Sequence, residues 1–196
     1  EVKDGAIAIK EFYKVPYKRK DYASLSYSEA SNKLVDLLDQ SVADRLVSDV
    51  PLGTFLSGGI DSSVISSLAA NHQINLNTFS IGFKDNAFFD ETEYAQLVAN
   101  KLKTNHTVFK LSNDDLLDSL NDLLAYIDEP FGDSSALLVN LLSKYTRQHV
   151  KVALSGDGGD ELFAGYNKYL GEYKVRNAGW KENIIKNNLG ILEKLP

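Results

Sequence analysis

The sequence predicts an α/β domain: an open, doubly wound parallel sheet with helices on both faces, followed by the start of a helical segment. Three observations carry this expectation. From residue 26 onward, short apolar runs alternate with stretches of helical length and periodicity. Two of the short runs end abruptly in serine, glycine and then aspartate, as buried strands do when they feed tight strand-to-helix loops. The chain is also globular in composition, with 43% hydrophobic and 24% charged residues over 196 positions, which excludes a disordered or membrane-embedded chain. Strands separated by helices of this length pair in parallel through right-handed crossovers.

The elements follow in order. Residues 1–20 alternate apolar positions (Ala6, Ile7, Ile9, then Phe12, Tyr13, Val15) before the basic triplet Lys18, Arg19, Lys20, and read as a short strand and a solvated linker. Ser26 and Glu29 form a capping box, and Leu34, Leu37, Leu38, Val42 and Leu46 recur at helical spacing, so a long helix is expected to about Val47. Pro51 breaks it. Leu52–Leu56 is then a buried strand, and Val64, Ile65, Leu68 and Ala69 mark the helix after it. The alternation repeats with a strand over Thr78–Phe83, a helix over Asp90–Leu102, a strand over His106–Leu111 and a helix over Asn113–Ile127. A turn containing Pro130 leads to a helix over Ser134–His149 and a short strand over Lys151–Leu154. Residues 171–196, with Tyr173, Val175, Trp180, Ile184, Ile185, Leu189, Ile191 and Leu192, read as the opening of a further helical segment.

Composition narrows the function. With 27 acidic and 21 basic side chains the net charge is −6, which argues against a surface built for non-specific nucleic-acid binding. The absence of cysteine removes disulfides, thiolate metal sites and thiol nucleophiles from these residues. No apolar run approaches the ~18 residues of a spanning helix, and the first residues lack a secretory signal, so no membrane association and a cytoplasmic location are expected. A chain without methionine points to a fragment. His72, His106 and His149 lie at element ends without metal-ligand spacing and read as surface or capping residues, and Tyr166 and Tyr169 as packing residues.

Two loops carry the chemistry. In SGGIDSS (Ser57–Ser63), between a strand and a helix, the unpaired N–H groups of the first helical turn form an anion site. Gly58 and Gly59 let the backbone approach an anion, and Ser57, Ser62 and Ser63 add hydroxyl donors. Asp61 would repel that anion unless a divalent cation sits between them, which implies Mg²⁺. The run lacks the lysine of the GxxxxGK[ST] phosphate loop. The second loop, SGDGGDE (Ser155–Glu161), repeats the grammar with three carboxylates, although alone it reads equally as an acid-capped helix start. Two such loops about a hundred residues apart can face each other where strand order reverses, with Asp61 and Asp160 sharing a metal.

SGGIDS resembles the pyrophosphate-binding motif of the N-type ATP pyrophosphatases, with their adenine nucleotide alpha hydrolase-like fold. VPLGTFLSGGIDSS, TFSIGF, DEPFGDSSAL and VKVALSGDGGDELFAGY, in that order, resemble the synthetase domain of the glutamine-dependent asparagine synthetase family, to which β-lactam synthetase is a close relative. The resemblance divides the chain into the end of a preceding glutaminase domain with its linker (1–20), an ATP-pyrophosphatase synthetase domain (21–170) and the start of a truncated helical portion (171–196). It implies that Ser57, Gly58, Gly59, Asp61 and Ser62 cradle the β- and γ-phosphates of ATP. It also implies that Asp61 and Asp160 bind Mg²⁺, and that the main chain around Leu56, Ile81, Ser155 and Gly156 holds the adenosine.

Asp157 stands where the family often carries glutamate, a residue thought to assist attack by the amine, and aspartate reaches less far. Ala164 makes FAGY of the more usual FGGY. Asp128, Glu129 and Asp133 match the stretch near the substrate carboxylate, and read equally as loop and helix-cap residues.

The implied activity is ATP-dependent amidation of aspartate through β-aspartyl-AMP, with ammonia from the glutaminase domain of a longer chain. A homodimer is compatible with the resemblance, and the family's catalytic lysine would lie beyond Pro196. Two rivals stand: an amidotransferase or cyclase activating another carboxylate, and a non-catalytic ATP-binding module, which would not need Asp61, Asp157 and Asp160 together.

Overall fold

The computed structural model describes residues 2–3, 5–14, 24–86, 88, 90–129, 132–177 and 179. The expectations for Val15, the basic triplet Lys18–Lys20, Pro130 and the apolar positions from Trp180 onward lie outside them. By internal packing the chain divides into Glu1–Gln40 and Ser41–Pro196.

In the first unit the alternating N-terminal run is not one strand. Only its first two residues are strand, β2 (Ala6–Ile7), which pairs antiparallel with a strand that precedes the run, β1 (Val2–Lys3), Val2 lying opposite Ile7. Gly5 lies between them at φ +76°, and this left-handed residue turns the chain back on itself. Helix α1 (Tyr27–Arg45) starts where the capping box places it. Glu29 accepts from both the N–H (2.8 Å) and the hydroxyl (2.6 Å) of Ser26, and the Ser26 hydroxyl accepts from the Glu29 N–H at 3.3 Å.

The second unit holds a four-stranded parallel sheet of β3 (Leu52–Phe55), β4 (Asn77–Phe83), β5 (Asn105–Leu111) and β6 (Val152–Leu154), in the order β5-β4-β3-β6. The expected strand runs match to within a residue at each end. Between them lie α2 (Ile60–His72), α3 (Thr92–Leu102), α4 (Asn113–Tyr126) and α5 (Ser135–Thr146), with α6 (Gly159–Phe163) and α7 (Asn167–Arg176) after β6. Strand order runs one way from β3 to β5 and returns to the other side of β3 for β6. Right-handed crossovers therefore put α2 and α3 on one face and α4 and α5 on the other, and these pairs pack on each other.

Strand alternation feeds both layers. Leu52, Thr54 and Leu56 face α2 and α3, where Val42, Leu52, Ala69 and Leu76 form one buried cluster and Leu56, Ala95 and Ala99 another. Thr54 and Ser66 share a buried hydrogen bond of 2.7 Å that ties β3 to α2. On the opposite face Phe79 stacks on Phe109 at 6.0 Å, and Tyr145 of α5 covers Phe109 at 5.4 Å.

Three further sequence expectations need correction. Helix α5 ends at Thr146 and not at His149, residues 147–149 forming a turn. Helix α3 begins at Thr92 rather than Asp90, because the Asp90 carboxylate accepts the Thr92 N–H at 3.0 Å and so stays outside the helix. His106 is not a capping residue. Parallel pairing sets it opposite Thr78, and its ring bridges the Thr78 and Ser80 hydroxyls at 2.9 and 3.2 Å. His149, though exposed, packs its ring on Phe79 and Phe109.

Burial pushes the His106 pKa below its ordinary 6.5, since the charged imidazolium loses solvation there. The unfolded chain binds the proton more readily, so this residue's contribution to stability is complete above pH 6.5 and is lost as pH falls through the lower folded value. Thermal melts between pH 7.5 and 5 are expected to show a smaller loss of Tm on acidification in His106→Gln than in the parent, and identical slopes contradict this.

Candidate active site

The reversal of strand order lies between β3 and β6, which pair in register with Thr54 opposite Leu154. Their carboxyl ends therefore deliver the two glycine loops side by side, at the place where open α/β sheets bind ligands. A cleft of about 1240 Å³ opens there, somewhat more than the few hundred to ~1,000 Å³ usual for one small ligand.

The first loop is tied from within. The hydroxyls of Ser57 and Ser62 lie 2.9 Å apart, Ser62 Oγ accepts the Ser57 N–H at 3.2 Å, and Ser57 Oγ accepts the Gly59 N–H at 3.2 Å. Gly59 is the N-cap of α2 and supplies no side chain to the helix end. Gly58 has φ +89°, and a methyl group on it would lie 2.6 Å from the Ala95 nitrogen. Its bare Cα thus seats the loop against α3.

The second loop is laid directly on the first turn of α2. A Cβ at Gly156 would be 2.7 Å from the Ser62 nitrogen and 2.9 Å from the Asp61 carbonyl carbon, and one at Gly159 would be 2.6 Å from the Asp61 carboxyl carbon. At Gly156 the neighbours are backbone and only glycine leaves room, whereas at Gly159 they belong to the Asp61 side chain. Ser155 donates its hydroxyl to the exposed Asp157 carboxylate at 2.9 Å.

The cleft gathers most of the residues singled out by sequence. Leu56, Ser57, Gly59, Asp61, Ser62 and Ile81 line it from β3, the first loop and β4, and Ser155, Gly156, Asp157 and Asp160 line it from the second loop. Leu56 buries its side chain fully and continues the sheet by donating its N–H to the Phe79 carbonyl at 2.8 Å. Gly58 sits behind the lining. Asp133 reaches the cleft while accepting the Ser135 N–H at 2.9 Å, and that bond holds its carboxyl below the usual range. It therefore serves as cap and wall at once. Asp128 and Glu129 are exposed in the turn after α4 and do not line the cleft.

The sequence reading missed two features. Tyr166, expected to pack, lines the cleft and donates its hydroxyl to Glu161 at 2.7 Å; that bond pushes the tyrosine up to about 12 and holds the glutamate carboxyl below its ordinary value. Ala164 adopts φ +58° at the C-cap of α6, a left-handed conformation in which glycine is unstrained, so the alanine of FAGY carries a conformational cost. Nothing in the sequence marks the Tyr166 contact except the short spacing back to Glu161, with Ala164 and Gly165, of little or no side chain, just before the tyrosine.

The donor set suits a phosphorylated ligand with a divalent cation. Ser57, Gly59 and Ser62 of the first loop line the cleft together with Asp61 and Asp160. Among the described residues no group of three or more His, Cys, Asp or Glu side chains is arranged to hold a metal alone. Two carboxylates with room left for phosphate oxygens and water match how Mg²⁺ is usually bound at nucleotide sites.

The family model described as asparagine synthase matches residues 33–191. The chain belongs to the asparagine synthase family. Among the relatives of this asparagine synthase domain are two proteins of Bacillus subtilis strain 168. Asparagine synthetase (glutamine-hydrolysing) 1 is 36% identical over 166 residues, 85% of this chain and 26% of that protein. Asparagine synthetase (glutamine-hydrolysing) 2 is 37% identical over 167 residues, 82% of this chain and 22% of that protein. The chain thus spans about a quarter of the length of the curated relatives it matches. An NMN synthetase from Francisella tularensis superposes with a TM-score of 0.47 at 22% identity, covering 73% of this chain and 59% of that one. Among the described residues no helix is long and apolar enough to cross a membrane.

The close approach of the two loops is testable by stability. Gly156→Ala must displace backbone rather than a flexible side-chain tip, so it is expected to destabilise by ~1–3 kcal/mol. Chemical denaturation of parent and variant measures this, and an unchanged midpoint with unchanged slope contradicts the packing.

Proposed function

We propose that this chain is the ATP-using part of a glutamine-hydrolysing asparagine synthetase, and that the cleft activates the side-chain carboxylate of aspartate as β-aspartyl-AMP. The observation that carries the reading is the juxtaposition of SGGIDSS and SGDGGDE at the neighbouring ends of β3 and β6. Membership of the family supports it.

In this reading the N–H groups at the start of α2 and the hydroxyls of Ser57 and Ser62 bind the β- and γ-phosphates of ATP, and the main chain around Leu56, Ile81, Ser155 and Gly156 holds the adenosine. Asp61 and Asp160 would hold Mg²⁺, which when bound offsets the charge that develops on departing pyrophosphate. Orienting the triphosphate leaves its α-phosphorus open to attack by the aspartate carboxylate. An O–P bond forms, the bond to pyrophosphate breaks, and the carboxylate acquires AMP as a leaving group in place of the much poorer oxide or hydroxide. Ammonia then attacks the acyl carbon and AMP departs. In this reading Asp157, which lines the cleft and accepts the Ser155 hydroxyl, takes a proton from the attacking nitrogen. Asp133 also lines the cleft, where the aspartate's own charges would be recognised.

Residues 1–20 fit the trailing end and linker of a glutaminase domain supplying that ammonia, and 171–196 the start of a helical portion. Cytoplasmic location and homodimer formation belong to the same reading.

The two acids of the second loop separate the half-reactions. In the full-length protein, Asp160→Ala is expected to abolish aspartate-dependent exchange of pyrophosphate into ATP. Asp157→Asn keeps the shape of the side chain and is expected to spare exchange while amide formation falls by ~10²-fold or more. Exchange assays and asparagine release measure both, and equal loss of the two half-reactions in both variants contradicts the assignment.

A further inference from the structure

Helix α6 carries the Asp160 carboxylate into the cleft yet has little of its own to hold it in place. It spans five residues, Gly159–Phe163, too few to be stable alone. Neither end has a side-chain cap: Gly158 precedes it at φ +89°, and Ala164 closes it in the left-handed region. Its N-terminal residue rests on the first loop through the bare Cα of Gly159 beside the Asp61 carboxylate.

At the other end the chain folds back. The Gly165 N–H donates to the Asp160 carbonyl at 3.0 Å, and a methyl group on Gly165 would overlap the Asp160 carboxylate. One residue later the Tyr166 hydroxyl donates to Glu161 Oε1 at 2.7 Å. Tyr166 is also the N-cap residue of α7; its ring lies 6.0 Å from that of Tyr169, with the Lys168 ammonium 4.6 Å from its centroid. The phenol is thus anchored on one side by α7 and on the other by Glu161.

We propose that Tyr166 is a positioning residue for the cleft, its hydrogen bond to Glu161 fixing α6 so that Asp160 keeps its place in the lining it shares with Asp61. The inference rests on the reading of those two acids as a shared Mg²⁺ site. A ring that served only to fill space would be buried, whereas Tyr166 is 39% exposed and lines the cleft with its hydroxyl engaged. The bond joins residues five apart across the turn that carries Gly165, so its loss frees α6 without opening the sheet.

The test is ATP binding by calorimetry in the full-length protein, across a Mg²⁺ titration and in excess EDTA. Tyr166→Phe keeps the ring and removes the donor. It is expected to raise the Mg²⁺ concentration for half-maximal binding about tenfold, the scale of one hydrogen bond to a charged group, and to leave EDTA binding unchanged. Glu161→Ala removes the acceptor instead and should give a similar shift, with no further shift in the double variant. Tyr166→Phe with the parent's Mg²⁺ dependence overturns the proposal, as does an equal loss of binding with and without Mg²⁺. If the parent protein binds no ATP under any condition, the proposed function itself fails, and this inference with it.

Discussion

The seating of the Ser155–Glu161 loop on the first turn of α2 is the constraint on which the rest of the site depends. Backbone must come close enough that a single methyl group at residue 156 would strike the Ser62 nitrogen. That is achievable only because β3 and β6 are neighbours, which in turn follows from the chain turning back across β3 after three strands laid in one direction. Gly156 and Gly159 are therefore as much a consequence of the strand order as of any ligand. With the loop in place, Ser57, Gly59, Asp61 and Ser62 of the first loop and Ser155, Gly156, Asp157 and Asp160 of the second line one cleft.

That placement sets an electrostatic problem with one economical solution. The N-terminus of α2 attracts negative charge, and so favours both a phosphate and the Asp61 carboxylate in its first turn. Two like charges about 4 Å apart near a protein surface repel by roughly 4 kcal/mol, so an anionic ligand entering beside Asp61 and Asp160 would be disfavoured unless a cation lay between. The hydrogen bonds among Ser57, Ser62 and Gly59 stiffen the loop without neutralising any of this charge. A divalent ion held by Asp61 and Asp160 would turn the repulsion into attraction, and a loop with glycine, serine and aspartate together would then differ from a simple glycine turn.

Much of the fold was legible because it is written in local signals. Ser26 and Glu29 announce α1 through a box closed within four residues, and the apolar runs of β3 to β6 stop at turn residues. What escaped depended on pairing between distant segments. His106 becomes a bridge between Thr78 and Ser80 only when β5 lies in register beside β4, and no pattern around residue 106 contains that register. Near the N-terminus the alternation from Ala6 hid the fact that Gly5 reverses the chain. In the site, the acids and glycines were legible as two loops. The contribution of Tyr166 was not, because it depends on a left-handed alanine and a bare glycine bringing the phenol back over α6.

The central claim is that both glycine loops close on one Mg·ATP molecule. Amide hydrogen exchange reads this directly, since each loop exposes backbone N–H groups whose protection reports their engagement. On adding Mg·ATP to the full-length protein, slowed exchange is predicted in 57–63 and in 155–161 together, at the same nucleotide concentration. Protection confined to one loop, or found in neither, would contradict the account.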